Sequence, residues 1–153
     1  MTPCAVTYGD VTVEEVQLCE TVRGWLSRLP DVPIQPNRKG HLQVMSCHML
    51  ARAVKRLVPT LMVVDGRYYP SFEHSWLLTP RGNILDVYPV CGASGPLLLV
   101  GEYPSPAPFL YRQGRLLHPF FSQVWFRQGV KDITAALRRI QAEETKGEPR
   151  CGL

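Results

Sequence analysis

FEHSWLLTPRGNILDVYPV, residues 72–90, holds two apolar runs separated by Pro80-Arg81-Gly82. Runs of this kind around a short Gly-containing break read as a β-hairpin. With Gly82 left-handed in a three-residue loop, Thr79 pairs with Asn83 and Trp76 faces Asp86, leaving His74 diagonal to Asp86 on the same face. A five-residue loop would set His74 directly opposite Asp86. Any odd loop keeps the two on one face, and an even loop separates them, because strand side chains alternate with period two. The hairpin therefore places two ionisable groups where a sheet would otherwise bury Trp, Leu, Ile and Val.

Upstream, Ser46 to Val58 reads as a helix with Met49, Leu50, Ala53, Val54 and Leu57 on one face and Arg52, Lys55 and Arg56 on the other. Cys47 and His48 fall in its first turn. There the unpaired amides and the positive end of the helix dipole favour a thiolate and offer N–H donors to an oxyanion. Taken alone, Cys47 could equally be a small buried hydrophobe. Between helix and hairpin, TLMVVDG reads as a short strand ending at Asp65-Gly66.

An earlier helix lies within TVEEVQLCETVRGWLSRL. Thr12 and Glu15 form a capping box, Leu18, Val22, Trp25, Leu26 and Leu29 recur at helical spacing, and Pro30 stops the run. PDVPIQPNRKGH reads as a surface loop. Downstream, LLLVGEY is a further apolar run, and RQG at 112–114 is suited to close a second hairpin. QGVKDITAALRRIQAEE carries the helical stripe Val130, Ile133, Leu137 and Ile140, and residues 146–153 read as a frayed tail. The order predicts an α+β fold, an antiparallel sheet packed against helices, in a single domain over 1–153.

With 153 residues, 45% of them apolar, the chain can bury one core of its own. The net charge of +4 is spread along the sequence, so no nucleic-acid partner is expected. No apolar window reaches the ~18 residues of a membrane span, and the N-terminus lacks the features of a secretory signal. A cytoplasmic protein that does not engage membranes is expected. Five cysteines, irregularly spaced and without a CxxC pair, support neither a disulfide framework nor a zinc ribbon. Cys47, His48, His74 and Cys91 are zinc-type ligands whose spacing does not form a metal motif, so neither metal nor cofactor is expected.

Cys47, His74 and Asp86 follow one another as helix start, strand and next strand. Nucleophilic catalysis needs this set: a thiolate to attack an acyl carbon, an imidazole to take and return the proton, and a carboxylate to hold the imidazole's tautomer. The cysteine at a helix start, HSW on a strand and ILD on the following one resemble the transglutaminase-like branch of the papain-fold cysteine enzymes, over roughly residues 43–90. The arylamine acetyltransferases and bacterial glutamine deamidases are similar in outline. The resemblance implies a papain-like core with Cys47 as nucleophile, His74 as general base and acid, Asp86 as orienting carboxylate, Gln43 as an oxyanion-hole residue and Trp76 beside the substrate. Such a site performs amide hydrolysis, deamidation or transfer on a protein or peptide, as an effector acting on side chains would. The alternative is a non-catalytic binding module of phage or bacterial type, contacting a partner through Trp76, Tyr88 and the YPSPAPF segment.

Overall fold

A computed structural model describes residues 6–8, 10–29, 45–68, 72–88, 98–100, 111–114 and 119–147. Helix α1 spans Val13–Ser27, α2 spans Cys47–Leu57 and α3 spans Val124–Gly147, preceded by a 3-10 turn at Pro119–Ser122. The strands are β1 (Val6–Tyr8), β2 (Met62–Tyr68), β3 (Phe72–Leu78), β4 (Ile84–Asp86), β5 (Leu98–Val100) and β6 (Tyr111–Gln113). They form one sheet in the order β1-β5-β4-β3-β2-β6. Every neighbouring pair is antiparallel except β1 and β5, which run parallel. The fold is α+β, with a sheet that is antiparallel but for its β1–β5 pair packed against helices.

The hairpin takes the three-residue form. Leu78 pairs with Ile84 and Leu77 with Leu85, Thr79 N–H donates to Asn83 O at 2.9 Å, and Gly82 has φ +85°. Continuing that register sets Trp76 level with Asp86, with His74 two residues further along the same face. Helix α1 begins at the capping box its sequence announces, and α2 begins at a cap on Ser46. Thr12 Oγ1 accepts from Glu15 N–H at 3.2 Å while Glu15 Oε2 accepts from Thr12 N–H at 3.0 Å, and Ser46 Oγ accepts from Met49 N–H at 3.3 Å. Buried Glu15 reaches further than its cap. Its Oε1 accepts from Thr79 Oγ1 at 2.5 Å and both carboxylate oxygens accept from Asn83 Nδ2, which ties the start of α1 to the hairpin loop.

Strand alternation divides the sheet into two faces. Leu77, Leu85 and Val63 join the main core built by Val22 and Trp25 of α1, Met49, Leu50 and Val54 of α2, and Val130, Ile133, Leu137 and Ile140 of α3. On the other face Val64, Trp76, Ile84 and Tyr111 form a smaller cluster. His74 and Asp86 belong to that second face, and Asp65 and Ser75 to the helix-covered one.

Two expectations are corrected. Asp65-Gly66 does not end a strand: β2 continues to Tyr68, and Gly66 sits between β6 and Trp76, where an added Cβ would overlap Arg112 O and lie 2.6 Å from the Trp76 ring. The glycine is there for close approach, so its turn-like dipeptide misleads. Arg112 and Gln113 do not form a turn either. They lie in strand β6, which pairs with β2 and extends the sheet past it.

Candidate active site

Cys47 is the first residue of α2, fixed there by the Ser46 cap, and is 9% exposed. The amides of Cys47 and His48 have no carbonyl of their own helix to bond, as in any first turn.

On the second face of the sheet, His74 Nε2 lies 2.8 Å from Asp86 Oδ2, with the two side chains 1% and 0% exposed. Asp86 Oδ2 also accepts from Tyr111 Oη at 2.7 Å, and Oδ1 accepts from Tyr88 N–H at 2.9 Å. A carboxylate among three donors requires the ring proton to sit on His74 Nε2. That leaves Nδ1 as the nitrogen through which His74 acts on the Cys47 thiol, each group shifting the other's ionisation. Tyr111 thus enters the site from β6 as a second donor holding the carboxylate.

The Ser75 backbone amide also acts to lower the thiol. The sheet explains its direction. Gly114 N–H donates to Asp65 O at 3.1 Å, so the main-chain groups of Asp65 face β6. Ser75 is cross-strand to Asp65 and therefore points its own N–H away from β2. On that side β4 ends at Asp86, level with Trp76, and the ladder is open beyond it. The Ser75 N–H that acts on the Cys47 thiol points toward this gap.

From the helix-covered face comes a second histidine, His48, which is 7% exposed and acts to lower the Cys47 thiol. His48 Nδ1 is 2.6 Å from Ser75 Oγ, Ser75 Oγ donates to Asp65 Oδ1, and Asp65 receives Arg52 in a two-pronged ion pair of 3.1 and 2.8 Å. Arg52 packs 4.3 Å above the Phe121 ring, and Phe121 meets the His48 ring edge-on at 5.4 Å. Arg52 is thus not on the solvent-facing side of α2 as its helical position suggested. The alternation Asp65, Arg67 and Glu73, Ser75 would have exposed the Asp65–Ser75 pair once the β2–β3 register was known.

These contacts set the protonation of the site. Burial pushes the Cys47 thiol up, but hydrogen bonds from His48 and His74, the electrostatic pull of His48 and the Ser75 amide outweigh it and hold the thiol at about 6. Burial pulls the His74 imidazole down, but Asp86 and the Cys47 sulfur outweigh that and raise it to about 9. Between these values the pair is thiolate and imidazolium. Burial also acts to raise the Asp65 carboxyl, and the Arg52 and Ser75 hydrogen bonds overcome it, leaving Asp65 below its ordinary range.

The structure therefore brings together Cys47, His74 and Asp86. Trp76 is 2% exposed, stacked on His74 with ring centroids 6.2 Å apart and edge-on to Tyr111 at 5.1 Å, so it forms the wall behind the imidazole. Gln43 lies outside the described residues, as do Cys91, His41, His118 and the YPSPAPF segment. Tyr88 is exposed. Among the described residues no group of three His, Cys, Asp or Glu is arranged to hold a metal ion, and no helix is long and apolar enough to cross a membrane. Comparison with known proteins gave no matching family model, no matching curated protein and no matching solved structure.

Proposed function

We propose that this chain is a cysteine-nucleophile acyl-transfer enzyme acting on an amide of a protein or peptide, with a papain-like arrangement of its catalytic groups. The observation that carries the reading is the continuous line from the Cys47 thiol through the His74 ring to buried Asp86. Cys47 Sγ, as the thiolate, attacks the acyl carbon. The tetrahedral oxyanion is met by first-turn amides of α2, where the helix dipole is positive. As the C–N bond breaks, His74 Nδ1 gives its proton to the departing amine, leaving a thioester on Cys47 and a neutral imidazole held by Asp86. Water or an amine then attacks the thioester and loses its proton to the His74 imidazole, and the C–S bond breaks to restore the thiolate. Hydrolysis, deamidation and transfer share these steps and differ in the acceptor admitted.

The binding-module alternative gives no account of a thiol held well below its ordinary value together with a buried His–Asp pair, and it would rely on Trp76, which is buried. p-Nitrophenyl acetate tests the enzyme reading. A burst of p-nitrophenol with an acetyl adduct on Cys47 is expected, absent in Cys47→Ala and slowed in His74→Gln. Acetylation spread over lysines, with Cys47 unmodified, would contradict it.

A further inference from the structure

Asp86 receives three hydrogens, and its two oxygens share them unequally. Oδ1 takes the Tyr88 N–H, whereas Oδ2 takes both His74 Nε2 at 2.8 Å and Tyr111 Oη at 2.7 Å. An ionised carboxylate only accepts, so the Tyr111 hydroxyl proton is committed to the oxygen that holds the imidazole. Packing does not call for that hydroxyl. The Tyr111 ring meets Tyr68 and Trp76 edge-on, each with centroids 5.1 Å apart, and phenylalanine would make the same contacts. Nor does the chain bring the group there by default. Tyr111 belongs to the outermost strand β6, which is paired to β2 at Tyr68 and reaches close alongside it because Gly66 leaves room for Arg112 O. Strands β3, β4 and β6 thus each supply one member of a buried line, His74–Asp86–Tyr111, whose exposures are 1%, 0% and 8%.

We propose that Tyr111 is a positioning residue of the acyl-transfer site: its hydroxyl holds the Asp86 oxygen that binds His74 and takes up part of that oxygen's charge, so that Asp86 orients the imidazole without gripping its proton. This rests on the acyl-transfer reading above. A buried carboxylate with the imidazolium as its main partner stabilises the charged ring strongly and makes it a weak acid. His74 has to give the Nδ1 proton to the departing amine and later take one from the attacking water, so a ring that is too basic stays protonated when it should be neutral. A second donor on the shared oxygen weakens its pull on the ring. Tyr111 and the Tyr88 N–H also hold different oxygens, so the carboxylate does not rotate without breaking one of those bonds. Tyr111 keeps its own proton in every step. The ionisable groups that meet the His74 ring are Asp86 from β4, Tyr68 from β2 at 6.2 Å and Tyr111 from β6 at 6.3 Å, and the Cys47 thiol of α2 acts on it as well. Among the described residues, Tyr111 is the one of these that shares the carboxylate oxygen with the ring.

The test is Tyr111→Phe in the full chain, which removes the hydroxyl and keeps the ring. Two readouts are taken: the NMR titration of the His74 ring, and p-nitrophenyl acetate turnover resolved into burst and steady phase. His74 should titrate about half a unit to one unit higher in the variant than in the parent, and the steady phase at about pH 7.5 should fall roughly three- to tenfold as fewer rings are neutral. The burst should keep its amplitude, because p-nitrophenolate departs without needing a proton. A purely structural tyrosine would lower stability in urea and leave the His74 titration and the ratio of burst to steady phase where they were. That result would overturn the proposal, as would a downward shift of the titration. A parent protein without a burst at Cys47 would overturn the acyl-transfer reading itself, whereas a parent burst with an unmoved Tyr111→Phe titration would overturn the role of Tyr111 alone. If Tyr111→Phe does not fold, the parent decides the matter. The Tyr111 hydroxyl hydrogen should then give a slowly exchanging NMR signal that moves as His74 titrates, and a signal that does not follow His74 would contradict the proposal.

Discussion

Cys19 and Cys47 are both free, buried helix cysteines, and their thiols differ by about the range from 11 to 6. Cys19 lies in the middle of α1 within the apolar core, beside Val22 and Trp25 in sequence, and burial pushes its thiol up to about 11, with Glu20 adding to the rise and Arg23 opposing it. Cys47 is desolvated too, yet it sits at a helix start, and two imidazoles and a strand amide act to lower its thiol. Burial sets the cost of a charge; the donors around the sulfur decide whether the charge forms. The same residue type is thus packing material at one position and a nucleophile at the other.

Serine in each position separates the two roles most sharply. Cys47→Ser should remove at least about ten-thousand-fold of the acyl-transfer rate while changing stability by no more than about 1 kcal/mol, measured by p-nitrophenyl acetate turnover and urea unfolding. Cys19→Ser should do the reverse, leaving turnover intact and costing about 1–3 kcal/mol, because its hydroxyl enters an apolar core. Next in size, Asp86→Asn should lower kcat by roughly a thousand- to ten-thousand-fold, since an amide lets the His74 ring take the tautomer that turns the wrong nitrogen toward Cys47.

The pH dependence follows from the same contrast. The rate should rise through about pH 6 as Cys47 ionises and fall through about pH 9 as His74 loses its proton. In stability the two groups have opposite signs. The depressed thiol contributes fully above its unfolded value of 9.0 and less as pH falls toward 6, whereas the raised imidazole contributes fully below 6.5 and less as pH rises through about 9. Urea unfolding between pH 6.5 and 9 should therefore show the pair's contributions opposing one another, and Cys47→Ser should expose the His74 slope, with stability falling as pH rises. A pair contribution that rose or fell steeply over that window in the parent chain would break the account. The smallest effect is expected at Thr12→Ala, which removes the α1 cap and should cost about 1 kcal/mol without altering turnover.

The parts of this site that are local in sequence were legible there. The start of α2 near Ser46, the Pro80-Arg81-Gly82 loop and the shared face of His74 and Asp86 all follow from near neighbours, and side-chain parity needs no tertiary knowledge. What escaped depends on distant pairing. Strand β1 is held by β5, over ninety residues later in the chain, and β6 by β2, so their short runs carry no local signature. The Asp65-Gly66 dipeptide imitates a turn because glycine serves close approach as well as tight bends. The line His48–Ser75–Asp65–Arg52 was hidden for the same reason: Arg52 reads as a solvent-facing helix residue until the β2–β3 register places Asp65 and Ser75 beneath it.

The most direct test of the central claim is the alkylation rate of Cys47 in the parent protein from pH 4 to 10. The account predicts a rise centred near pH 6, with Cys19 unmodified until the chain unfolds. A Cys47 rate that stays low through neutral pH and rises only near 9, as an unassisted thiol would, contradicts it.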